Sequence, residues 1–124
     1  MDIEQRKYVR FLPQDSTFAS LGSEFDKVGK VNNISIKGLA FSYLSETVEK
    51  DPDPYSCQAD IFLSGNNFYL SNVLCKIVYD FPDPAFSQNY GIKMYRCGLC
   101  FEELTEMQSE LLESFINKHT IGIL

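Results

Sequence analysis

The chain has 124 residues, with 11 basic against 17 acidic side chains and a formal net charge of −6. That length suits one domain with a core of its own, and an apolar content of 44% with only five prolines excludes a disordered chain. So acidic a composition excludes general binding to nucleic acid polymers, which needs a broad basic surface, yet it is compatible with a small anionic ligand held by a local basic cluster.

Residues 1–13 mix charges without sustained periodicity and read as a flexible arm carrying Arg6 and Arg10; residues 14–124 then form a single domain. Thr17 to Leu21 has strand character, and Gly22-Ser23 marks a turn. Lys27 to Ile36 contains the next strand. In it Asn33 and Ser35 project to one side while Ile34 and Ile36 point to the core. Gly38 to Leu44 reads as a strand largely buried on both sides. Glu46 to Ser56 is a loop, because Pro52 and Pro54 cannot donate to a ladder. Ala59 to Leu63 and Asn67 to Leu70 bracket the hairpin signal Ser64-Gly65-Asn66. Val73 to Tyr79 alternates clearly, Phe81 to Gly91 is a second proline-containing loop, and Tyr95 to Phe101 is the last predicted strand, with Gly98 at its middle.

A helix closes the chain. Thr105 and Gln108 fit a capping box, and Met107, Leu111, Leu112, Phe115 and Ile116 make an apolar face opposite Glu106, Glu110, Glu113 and Asn117. The fold class is therefore mainly β: six strands in an antiparallel barrel with a C-terminal amphipathic α-helix docked on it.

Two short patterns carry the chemistry. Arg6 and Arg10 stand four apart, which puts them on one face of the arm. They are two of only three arginines in the sequence. Asn33 and Ser35 form a polar platform, followed by Gly38, which permits a tight turn or a close approach. Guanidinium forks match phosphate oxygens, and they match guanine O6 and N7 equally well. Lys7 lies beside the arginines and adds a phosphate contact; Lys37 shares the platform's parity only if the strand persists to that point.

Arg6-x-x-x-Arg10 followed by Asn33-x-Ser35-x-x-Gly38 resembles the signature of the PilZ domain, a bacterial receptor for cyclic di-GMP. The predicted strands and the Gly98-containing strand feeding a terminal helix are similar to that family over most of the chain. The resemblance implies a stand-alone cyclic di-GMP receptor whose arm orders on the ligand and passes the signal to a protein partner. It implies that Arg6 and Arg10 contact phosphates and guanine edges, that Asn33 meets the guanine Watson–Crick edge, that Ser35 supports a phosphate, and that Gly38 keeps the approach clear. Gln5 stands where many members carry a further basic residue, which bears on affinity and on how many nucleotides bind. The other reading of the same resemblance is a PilZ-fold interaction adaptor that binds no nucleotide.

Other features point to structure. Cys97 and Cys100 form C-x-x-C, but Cys57 and Cys75 make no second close pair and His119 is the only histidine, so free core thiols are expected, and no metal. Asp51, Asp53 and Asp83 lack the spacing of a calcium loop. No catalytic constellation, phosphate loop or dinucleotide glycine pattern is visible, so a binding protein without a cofactor is expected, not an enzyme. No stretch reaches the ~18–20 apolar residues that cross a bilayer, and no leader is visible; a cytoplasmic protein without membrane insertion is expected.

Overall fold

Inward apolar residues alternating with outward polar ones build the strands of this protein, seen in a computed structural model that describes residues 8–22, 27–46, 56–65, 68–85 and 91–124. Six strands are β2 (Thr17–Leu21), β3 (Lys27–Ile34), β4 (Gly38–Ser45), β5 (Ser56–Leu63), β6 (Tyr69–Pro82) and β7 (Lys93–Phe101). They run antiparallel in the order β2-β5-β6-β7-β4-β3, and a β2–β3 pairing closes the ring. Closure leaves these strands no free edge. The barrel interior takes Leu39, Phe41 and Tyr43 from β4 and Tyr95, Cys97, Leu99 and Phe101 from β7, all buried.

Two further strands lie outside the ring. β1 (Phe11–Pro13) pairs with β3 through Phe11 and Ile34, and it also pairs with β8 (Thr120–Ile123), which follows the helix. Phe11–Pro13 therefore belongs to the sheet and not to the arm, and β8 is an element the sequence pattern does not announce. The 14-residue β6 runs through the positions where two separate strands were expected. It stays continuous because it bulges. Asn72 takes a positive φ of 56°, its N–H donates to Asp60 Oδ1 at 2.8 Å, and the Tyr69 hydroxyl donates to Asp60 Oδ2 at 2.8 Å. One carboxylate thus takes up the polar groups that the irregularity would otherwise strand.

Helix α1 (Glu106–Lys118) carries the expected capping box: Thr105 Oγ1 accepts from the Gln108 N–H, and Gln108 Oε1 accepts from the Thr105 N–H, both at 3.0 Å. The other end of the Gln108 amide donates to the carbonyls of Ser71 at 2.9 Å and Asn72 at 3.3 Å. The cap therefore also anchors the helix to the β6 bulge. Leu112, Phe115 and Ile116 are buried, and the Phe115 ring centre lies 4.8 Å from that of Phe68. Met107 is 70% exposed and Leu111 is partly exposed, so the docked stripe is narrower than the apolar face in the sequence. Leu44 is likewise exposed, which makes β4 a strand with one buried face beyond Tyr43.

At one end of the barrel, Lys27 Nζ meets Asp80 Oδ2 at 2.8 Å, and the Tyr43 hydroxyl donates to Asp80 Oδ1 at 2.7 Å. Tyr43 in turn stacks on Tyr95, with ring centres 5.3 Å apart. Polar bonds thus tie β3, β4 and β6 together at this end, and the ring stack adds β7.

Candidate ligand-binding site

The strand registers set one row of residues across the outside of the barrel. Asn33 on β3 is opposite Ala40 on β4, Ala40 is opposite Gly98 on β7, and Gly98 is opposite Tyr79 on β6. Neighbouring strands lie ~4.8 Å apart, so Asn33 and Tyr79 stand ~14 Å from one another. Between them are a methyl group and a bare backbone. Gly38 opposite Cys100 repeats the small-residue pair one step along. A trough of about 390 Å³ results, with Arg10, Asn33, Ser35 and Lys37 on one side and Val78 and Tyr79 on the other.

Each glycine of the floor has a packing reason. A Cβ on Gly98 would stand 2.3 Å from Cε2 of Tyr79, so the Tyr79 ring lies against uncovered backbone. β6 bulges between Ile77 and Tyr79, which turns Val78 outward and sets the ring at the trough's edge. A Cβ on Gly38 would stand 2.0 Å from the Leu99 carbonyl oxygen. Glycine there lets β4 begin hard against β7.

Ser35 lies in the turn between β3 and β4. Its N–H donates to the Gly38 carbonyl at 2.8 Å, and its Oγ accepts from the Lys37 N–H at 3.1 Å. The Lys37 carbonyl accepts from the Phe101 N–H at 2.7 Å, fastening the turn to β7. Ser35 is therefore a turn residue first, and it is nearly buried. Strand β3 stops at Ile34, and its pairing with β4 shifts between Val31 and Asn33. The expected alternation through Ile36 accordingly fails: Ile36 is 46% exposed at the turn, not in the core. Asn32 enters the extra position, and its amide donates to Ser42 Oγ at 2.8 Å.

Arg10 is exposed at the rim, and its backbone is held because the Leu124 N–H donates to its carbonyl at 2.9 Å. Lys37 Nζ lies 5.6 Å from the centre of the Tyr8 ring, a cation–π contact that brings the start of the described chain to the same rim. Arg6 and Lys7 lie outside the described residues. Among those described, the trough is lined by two cations, Arg10 and Lys37, and by no carboxylate. In a chain of net charge −6 that is a local reversal of sign.

Among the described residues, no group of His, Cys, Asp or Glu is arranged to hold a metal ion. Cys97 faces the core and Cys100 faces the trough, as opposite parities on β7 dictate. Asp83 Oδ1 accepts from the Ala85 N–H at 2.9 Å, and Arg96 Nε lies 3.1 Å from Asp83 Oδ2. Those bonds hold its carboxyl below the ordinary range, the backbone one most strongly. Asp51 and Asp53 are outside the described residues.

No family model matches the sequence, and no curated protein matches it. Among solved structures, the chain is similar to the PilZ domain with c-di-GMP of YcgR from Escherichia coli. The TM-score is 0.67, covering 93% of this chain and 91% of that one, at 8% sequence identity. The chain has the PilZ fold.

On this PilZ barrel, Arg10, Asn33, Ser35 and Gly38 meet at one trough although the two half-motifs are far apart in sequence. Tyr8, Val78 and Tyr79 complete it and are not marked by the motif. Only Tyr79 has a signal, Gly98 in mid-strand, since a bare position on an outward face invites an aromatic ring from the next strand.

Proposed function

We propose that this PilZ-fold protein is a receptor for cyclic di-GMP, which it binds in the outer trough. The observation that supports this best is the convergence of Arg10, Asn33, Ser35 and Gly38 on that trough. The ligand carries two phosphates and two guanines, and the rim offers matching groups. The Arg10 guanidinium reaches a phosphate or a guanine O6/N7 edge. Asn33 meets a guanine Watson–Crick edge, Ser35 supports a phosphate, and Gly38 keeps the strand start free of a side chain. Arg6 and Lys7, just upstream of Tyr8, close over the ligand from the N-terminal side. Binding pays for ordering of that segment, and the ordered segment forms a surface that a protein partner reads. The protein acts by binding and not by catalysis, in the bacterial cytoplasm where such a messenger circulates.

A bidentate arginine contributes roughly 1–3 kcal/mol of discrimination. Calorimetry with cyclic di-GMP against GMP should therefore give saturable heat with the parent and binding weakened about ten-fold or more in Arg10→Ala. Absence of heat with a folded parent overturns the receptor reading. It would favour the interaction adaptor, which has an observation of its own: Val78, Tyr79 and Phe81 form an exposed apolar patch along β6, of the kind that docks proteins.

A further inference from the structure

We propose that Cys57 and Cys75 are a modification site: a thiol pair that closes to a disulfide across β5 and β6 on meeting a low-molecular-mass disulfide. The two residues are direct partners in the antiparallel ladder, so both side chains leave the sheet on the same face. Their sulfurs lie 3.6 Å apart. Each thiol also reaches the other's carbonyl oxygen, Cys57 Sγ to Cys75 O at 3.7 Å and Cys75 Sγ to Cys57 O at 3.6 Å. Directly opposed residues have Cα atoms ~4.5–5.5 Å apart, inside the ~4.4–6.8 Å that a disulfide accepts. Bond formation therefore needs side-chain rotation and a closing of the sulfurs by about 1.5 Å, with no strand displacement.

The pair is asymmetric in access. Cys57 is half-buried near the start of β5, while Cys75 is 0% exposed, and burial keeps the Cys75 thiol protonated well above its ordinary range. Reaction thus begins at Cys57. Its thiolate attacks the small disulfide, forming a mixed disulfide and releasing one thiolate. Cys75 then gives up its proton and attacks the Cys57 sulfur, forming the protein disulfide and expelling the second thiolate. One external disulfide is reduced to two thiols, and two protein thiols are oxidised to one bond. Cys97 and Cys100 do not pair with each other, because they point to opposite faces of β7. The bridge would clamp the β5–β6 hairpin, whose second strand carries Tyr79 and Asp80. The inference is independent of what occupies the trough.

The test uses the full chain equilibrated in glutathione buffers from reducing to oxidising, quenched by alkylation and mapped by mass spectrometry, with thermal unfolding measured in parallel. The expected result is a single Cys57–Cys75 cross-linked peptide at the oxidising end and a dithiothreitol-reversible rise in Tm of roughly 5–10 °C. Cys97→Ser should keep both signals, and Cys57→Ser should lose both. Persistent glutathionylation of Cys57 without cross-linking, or a bridge that maps to any other pair, would overturn the proposal. Because the parent protein itself is mapped, failure of a variant to fold does not shield it.

Discussion

Gly38→Ala separates two reasons for a glycine at the trough. In the motif reading glycine keeps the ligand's approach clear, whereas in the structure a Cβ at Gly38 would lie 2.0 Å from the Leu99 carbonyl oxygen. Contacts under 3.0 Å are essentially never seen for a real Cβ, so β4 and β7 must part by about 1 Å at this point. Neither side yields cheaply. Leu99 is a core residue, and the preceding Lys37 carbonyl is fixed by the Phe101 N–H at 2.7 Å. Overpacking of this kind costs about 1–3 kcal/mol, and the rigid backbone neighbour puts Gly38→Ala at the upper end, about 2–3 kcal/mol. For a domain of this size the Tm should fall by roughly 8–12 °C, with a matching drop in the urea midpoint and an unchanged m-value. An alanine variant as stable as the parent would refute the packing argument, and loss of ligand binding in such a variant would return the glycine to the ligand.

Four other outcomes follow from the same structure. Asp80→Ala leaves the Lys27 ammonium, whose side chain is 11% exposed, without this carboxylate, and should cost about 3–5 kcal/mol in urea unfolding; Lys27→Met combined with Asp80→Leu should cost much less. Thr105→Ala should cost about 1 kcal/mol through the lost cap. Gln108→Ala should cost more than Thr105→Ala, because it also releases Ser71 and Asn72. Asp83 should titrate below the ordinary carboxylate range by NMR, since the Ala85 N–H and then Arg96 favour its charged form. Its contribution is present above the unfolded pKa of ~4 and is lost as pH falls through the lowered folded value, so Asp83→Asn should flatten the acid limb of the stability profile.

The strands legible in the sequence are those whose pattern is local. Leu39, Phe41 and Tyr43 alternate with outward residues, and Thr105 and Gln108 announce the helix without help from elsewhere. Strands β1 and β8 are not legible for a complementary reason: each is short, and they pair with each other across most of the chain's length, with β1 also joined to β3 only through Phe11 and Ile34. The bulges are hidden too. Nothing in Asn32-Asn33 or Ile77-Val78-Tyr79 says that one residue is extra, and a single insertion re-aims everything after it. Ile36 lies at the surface for a different reason: β3 ends at Ile34, and the residues after it form the turn into β4. For the trough, part of the near rim was legible but the floor and far wall were not. Arg10, Asn33, Ser35 and Gly38 are visible as a motif, whereas Tyr79 joins them only through three successive strand registers. The helix face was overdrawn at Met107 because periodicity reports which residues share a stripe, and the partner's curvature decides how much of it is covered.

An amide NMR titration of the labelled protein with cyclic di-GMP tests the central claim most directly, because it reports both binding and place. The account predicts saturable shifts at Arg10, Asn33, Lys37, Gly38, Tyr79 and Gly98, with the Lys27–Asp80 end of the barrel unmoved. An unperturbed spectrum at millimolar ligand, or shifts gathered at that other end while the trough stays silent, would contradict it.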